Sequence, residues 1–247
     1  MSLNKKEFVE AFTQIFIAVL IAVIFRSFFF EPYKIPSSSM KPTLIIGDCV
    51  VVSKYSYGYS RYSLPFGIKL LPEDRILKPG KPQRGDVIVF RGPKNTFITY
   101  IKRLIGLPGD RIQVIDGIVY INGEEVKRVA DGYFYDPDTK GNVKQYIETL
   151  PNGVSYKVLD RELNNKLDNT EIFIVPENNY FFMGDNRDQS ADSRILEGIG
   201  YVDEKFLIGK AQGIFFSAKS EVVTLWHFFT DIDFSRFFIS LIPTGSK

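Results

Sequence analysis

One cysteine (Cys49) and one histidine (His227) in 247 residues leave the chain poor in the side chains that most reactive sites use. A lone cysteine excludes an internal disulfide, and the pair together excludes a Cys/His zinc centre. No GxSxG elbow, glycine-rich phosphate loop or HExxH helix motif is present, so the common hydrolase, nucleotide and zinc-protease signatures are missing. Charge of one sign is lacking too: 31 Lys and Arg stand against 29 Asp and Glu, a net of +2 that supplies no bulk field for gripping nucleic acid. What the chain has in excess is aromatic side chains. Twenty-two Phe and 13 Tyr bring the aromatic share to 15%, which fits β-structure or a surface facing lipid.

Residues 11–25, AFTQIFIAVLIAVIF, carry no charge, and SFFF follows Arg26. Twenty helical residues span about 30 Å, the thickness of a bilayer's hydrocarbon. Arg26 lies near the end of this run, where a long cationic side chain can reach the headgroups. A cleaved signal peptide and a buried core helix are the competing readings. Against cleavage, Phe28, Phe29 and Phe30 occupy the place where a small-x-small site would stand. Residues 1–30 are therefore expected to form a tail and a single membrane anchor. The positive charges on the two flanks do not decide its orientation.

Beyond residue 31, short β-branched and aromatic runs alternate with Gly, Pro, Asn and Asp: Val50–Ser53, Val87–Phe90, Phe97–Ile105, Arg111–Ile115, Ile118–Ile121, Ile172–Val175, Tyr180–Met183 and Phe206–Phe216. Asp116-Gly117 and Asn122-Gly123 separate such runs and favour the left-handed backbone of tight hairpins. The expected fold is mainly β: an antiparallel, barrel-like catalytic domain over 31–123 and 172–216. A more polar inserted subdomain is expected over 124–171, with a strand at Val154–Leu159, and an aromatic C-terminal segment over 217–247. In that segment Asp231, Asp233 and Arg236 interrupt the apolar pattern, which leaves a membrane-surface segment or a core-covering helix rather than a second span.

Three segments are dense in reactive side chains. In IPSSSMKPTL (35–44) three serines lie between two prolines, which stiffen a turn able to present a hydroxyl; a polar linker is the alternative. In TYIKRLIGLPGD (99–110), strand alternation places Lys102 with Ile98, Tyr100 and Leu104. Burial would then lower its pKa toward that of a general base, whereas a half-buried edge lysine would keep its ammonium in water. GDNRDQSADSR (184–194) has the short polar side chains of a tightly bonded turn, or of a solvated loop. Its spacing does not fit a calcium loop, since Arg187 or Ser193 falls where a ligand or the sharp-turn glycine belongs.

PSSSMKPT, RGDVIVF (84–90), YIKRLIGLPGD and GDNRDQSADSR, in that order behind one span, resemble the sequence boxes of bacterial type I signal peptidases, membrane-anchored proteases with a Ser/Lys pair. The resemblance implies that Ser39 is the nucleophile and Lys102 its base. It implies that Ser37 assists the oxyanion, that Ser190 and Asp192 hold the lysine, and that Arg194 supports the loop. Tyr33, Ile35, Pro36 and Ile101 match positions lining pockets for small side chains. Gln189 stands where the family has Asn, and ILEGIGYV after Arg194 is longer than the usual step. No metal or cofactor is implied. The expected partners are signal-peptide-bearing preproteins and the lipid bilayer, with no nucleic acid, for a monomer whose catalytic domain faces the outer side of the bacterial inner membrane. The reading from another class is an inactive, membrane-tethered β-domain that binds exported chains.

Overall fold

The computed structural model describes residues 5–64, 71–161, 165–218 and 231–243. His227 lies outside them. A helix, α1 (Lys5–Phe28), comes first, followed by β1 (Phe30–Lys34), β2 (Asp48–Ser53), β3 (Val87–Arg91), β4 (Thr99–Gly106), β5 (Arg111–Ile115), β6 (Ile118–Ile121) and β7 (Glu124–Glu125). The chain continues through β8 (Lys127–Asp136), β9 (Gly141–Thr149), β10 (Ser155–Asp160), β11 (Phe173–Ile174), β12 (Asn179–Met183), β13 (Val202–Asp203), β14 (Leu207–Ser217) and β15 (Ile239–Ser240).

Within Lys6–Phe28 the most apolar 18-residue window of the helix has a mean hydropathy of 2.4 and is not buried at all against the rest of the chain. Its phenylalanines and isoleucines are exposed all round, as in Phe12 and Ile15. A helix apolar on every face, whose apolar window packs on nothing and which touches the rest of the chain only at its C-terminal end, suits lipid, and its 23 residues reach about 34 Å.

The main sheet runs β1-β2-β14-β3-β4-β12-β13 with β15 added beside β14; it is antiparallel throughout and curls into a half-barrel. Both of its faces are covered. Along β3, Val87 and Val89 pack with Ile35, Met40, Val50, Val52 and Ile208, whereas Ile88 and Phe90 pack with Leu104, Tyr180, Phe182 and Leu207. A smaller sheet, β11-β5-β6-β7, carries the two expected hairpins. Asp116 and Gly117 (φ 49° and 77°) link β5 to β6, and Asn122 and Gly123 (φ 56° and 86°) link β6 to β7. Positive φ at both loop positions defines the turn whose twist matches the strands it joins.

The third sheet, β10-β9-β8, lies within residues 124–171, and only β10 is evident from sequence alternation. Most of β8 is exposed or half-exposed (Val129 and Tyr133 among it), so no buried face imposes a period of two on its sequence. This sheet nevertheless shares a core with the others: Val154, Tyr156 and Val158 pack with Ile105, Ile112, Phe181 and Met183. In the C-terminal segment, Ile232 and Leu241 are buried and β15 pairs with β14, so its described part covers core.

Candidate active site

The serine-rich turn leaves β1 and is fixed by apolar anchors on either side of the hydroxyls. Ile35, Met40 and Leu44 are almost fully buried, and the Leu44 amide donates to Met40 O (2.9 Å). Asp48, at the start of β2, accepts from the Ile45 amide (2.9 Å) and pairs with Arg236, whose guanidinium also donates to Thr43 O (3.1 Å). Ser37 is exposed, whereas Ser39 retains 7% of its surface.

Lys102, near the middle of β4, is 4% exposed, and its Nζ stands 2.6 Å from Ser39 Oγ and 3.0 Å from Ile101 O. Burial pushes the amine down from its ordinary 10.5 to about 8, against the pull of the Asp192 and Asp185 carboxylates. The partners of the buried lysines set Lys102 apart. Among the described residues, Lys41, Lys54 and Lys102 are the buried lysines. Lys41 Nζ lies 2.6 Å from Asp136 and Lys54 Nζ 2.8 Å from Glu31. Lys102 alone faces a hydroxyl and a carbonyl, neither of which needs it charged.

The acidic loop after β12 closes over this pair. The Asn186 amide donates to Ser39 O (3.1 Å) and its side chain to Ser38 O (3.0 Å), while Ser38 Oγ donates to Gln189 Oε1 (3.2 Å). Gly184 sits so close that an added Cβ would come within 2.2 Å of Ser190 Oγ and 2.5 Å of Ser39 O; only glycine lets the loop approach. Asp192 accepts from Arg194 Nε and Nη2 (both 2.9 Å) and from the Gly184 amide (3.0 Å). Burial pushes its carboxyl up, but Arg194 and these donors outweigh that and hold it below the usual carboxylate range.

The residues singled out from sequence thus converge, with differences in detail. Ser37 Oγ lies 3.4 Å from Ser39 Oγ. Neither Ser190 nor Asp192 bonds the lysine: Asp192 reaches it through charge alone, and the buried Ser190 side chain lies beside the Asp192 carboxylate and helps to lower its pKa. Tyr33 and Ile101 pack on the cluster that contains Ile35, and Pro36 is exposed beside it.

Partners that sequence reasoning missed brace the site from behind. Asp185 accepts from Arg103 Nε (2.8 Å) and Nη2 (2.6 Å) and from Thr43 Oγ1 (2.5 Å), tying the lysine strand, the serine turn and the acidic loop together. Arg187 forms a buried fork with Glu148 on β9, and Lys41 meets Asp136 and Asp138 at the β8–β9 turn. The cluster Asp160, Asp168 and Asp188 brings three carboxylates together but is occupied by protein donors, among them Arg128, the Asn165 amide and the Arg161 amide.

A buried amine with a lowered pKa against a serine hydroxyl is an arrangement suited to nucleophilic catalysis without histidine or metal. Comparisons with known proteins give the family. A profile of the family described as signal peptidase, peptidase S26, matches residues 8–216. Signal peptidase I of Rickettsia bellii (strain OSU 85-389) is 42% identical over 247 residues, covering 97% of this chain and 82% of that protein. Signal peptidase I of Rickettsia typhi (strain ATCC VR-144 / Wilmington) is 41% identical over 242 residues, covering 95% and 88%. A solved signal peptidase I from Enterococcus faecalis V583 is 30% identical over 53% of this chain and 96% of its own, with a TM-score of 0.33. The chain belongs to the signal peptidase family, peptidase S26.

Proposed function

We propose that this membrane-anchored signal peptidase removes signal peptides from exported preproteins with Ser39 as nucleophile and Lys102 as general base. The observation that carries the assignment is the 2.6 Å contact between Ser39 Oγ and a buried lysine amine that has no carboxylate partner. In its neutral form the amine accepts the hydroxyl proton as Oγ attacks the scissile carbonyl, then returns it to the departing amine. The Ser37 hydroxyl and the Ser39 backbone N–H are the donors assigned to the oxyanion, each typically worth about 3 kcal/mol. Asp192 and Arg194 position the loop, and Ser190 is assigned, with Asp192, to holding the lysine in place. Tyr33, Ile35, Pro36 and Ile101 are assigned to the pockets for small side chains before the cut.

Residues 31–123 and 172–216 are taken as the catalytic unit, with 124–171 as an inserted subdomain and 217–247 as an aromatic C-terminal segment whose described part closes the core. We place that unit on the outer side of the bacterial inner membrane, acting as a monomer with no nucleic-acid partner, because its substrates emerge there. The test is incubation of the detergent-solubilised protein with a preprotein. The parent should release a mature chain cut after a small residue, and Ser39→Ala, Lys102→Ala and Lys102→Arg should each release none, since a guanidinium does not give up its proton in proteins. Full activity in Lys102→Arg would overturn the general-base assignment.

A further inference from the structure

The anchor does not hang from the catalytic sheet by a loose tether. Phe29 alone separates the end of α1 from the start of β1, and each backbone carbonyl there is occupied. Tyr59 Oη donates to Phe28 O (2.6 Å) and the Lys54 amide donates to Phe29 O (2.9 Å). Rings lock the same place, Phe28 edge-on to Tyr59 (5.4 Å between centroids) and Phe30 edge-on to Tyr55 (5.5 Å). At the centre is Glu31, 6% exposed. One of its oxygens accepts from Arg26 Nε (3.0 Å) and Nη2 (2.9 Å) in the last turn of the anchor. The other accepts from the fully buried Lys54 (2.8 Å) and from Tyr33 Oη (2.8 Å). Burial pushes the Glu31 carboxyl up, but Lys54, Tyr33 and Arg26 together hold it below the usual range, so Glu31 carries its charge at neutral pH.

Withdrawing these charges from water is costly, and a simple tether would not require it. What the cluster secures is direction. Glu31 joins the membrane helix to the strand that carries Tyr33 and runs straight into the Ser39 turn, and β1 covers only about 17 Å. We infer that Arg26 and Glu31 are positioning residues of a rigid joint that fixes the candidate site relative to the bilayer, so that membrane-held substrates are selected by the number of residues between their apolar segment and the bond to be cut. The inference rests on the signal peptidase reading and adds a specificity determinant outside the side-chain pockets.

The test uses the full chain in liposomes with a series of preproteins whose spacer between apolar segment and cut site is lengthened residue by residue, beside a short soluble peptide. The variants are a Gly/Ser insertion between Phe29 and Phe30, which keeps the tether but frees the joint, and Arg26→Gln, whose side chain is half-exposed and so spares the core. The parent should prefer one spacer length. The insertion should flatten that preference and lower kcat/KM at the best spacer by about tenfold while leaving peptide cleavage unchanged, because restricted geometry is what makes a tethered reaction efficient. Arg26→Gln should move in the same direction by less. A parent without spacer preference, or an insertion variant that keeps both preference and rate, would overturn the joint. Loss of peptide cleavage in both variants would also overturn it, by showing a role in folding instead. A parent that cuts neither preprotein nor peptide would overturn the signal peptidase reading itself, and this inference with it.

Discussion

Under the proposed mechanism activity should switch on as pH rises through about 8, because only a neutral Lys102 amine can take the Ser39 proton and burial brings its pKa down to that value. With a pKa of about 8, roughly a tenth of the enzyme holds a neutral base at pH 7; at the ordinary 10.5 the fraction would be about 0.0003, some 300-fold less. The same displacement is roughly 3 kcal/mol against the charged amine, which is the work the apolar surroundings must do. Asp192 opposes it. Its oxygens are engaged by Arg194 and the Gly184 amide, so it acts on the lysine only through charge. Asp192→Asn should therefore shift the activity limb to lower pH, and the Arg194 cation left without its partner pushes the same way. The maximum rate should fall, since the single amide oxygen of Asn cannot accept from Arg194 Nε, Arg194 Nη2 and the Gly184 amide as the two carboxylate oxygens do. The assay is kcat/KM on a soluble peptide between pH 6 and 11 at constant ionic strength, which reports the free enzyme's base. A parent limb near 10.5, or a limb that moves upward in Asp192→Asn, would refute the argument.

The same burial makes Lys102 a liability for stability. Its folded pKa lies below its unfolded one, so the penalty is fully present below about pH 8 and disappears above about 10.5. Lys102→Met should accordingly raise the unfolding free energy at pH 7 by up to about 3 kcal/mol, a gain that shrinks between those pH values in denaturant titrations. Neither chelators nor thiol reagents should inhibit peptide cleavage, because the proposed mechanism uses no metal and burial pushes the Cys49 thiol up, away from the reactive thiolate; inhibition by either would require another mechanism. Glu148→Gln should lower stability by about 3–5 kcal/mol in the same titrations, since it strips a buried fork from Arg187 in the acidic loop; a neutral result would show that the β8–β10 sheet does not brace the site.

Where one principle acted locally, the sequence was a sufficient guide. The Asp-Gly and Asn-Gly pairs took the left-handed turn because few other residues tolerate positive φ twice in succession, and the β-branched runs of β3, β5 and β6 fell within a residue of expectation. The fold's less legible part is β8 and β9. Most of β8 is exposed or half-exposed, so no apolar period betrays it, and on β9 the buried positions include the polar Gln145 and Glu148, which hide the alternation.

Long-range pairing was illegible for a different reason. Lys41 and Asp136 are 95 positions apart, Arg103 and Asp185 82, Arg187 and Glu148 39; nothing in the local pattern of either member names the other. The case of Lys102 shows how this limits inference from alternation. Its burial follows from sharing a face with Tyr100 and Leu104, but Arg103, on the opposite face, is equally buried, because loops and the third sheet cover that side as well. Burial therefore does not distinguish the two cations. Arg103 faces the Asp185 carboxylate and is held charged, whereas Lys102 faces only oxygens that carry no charge. The lysine's chemistry thus depends on where the carboxylates of the acidic loop are spent: Asp185 on Arg103 and Asp192 on Arg194, leaving neither to bond the amine. A substitution that released either carboxylate to reach Lys102 would raise its pKa and silence the site without touching Ser39.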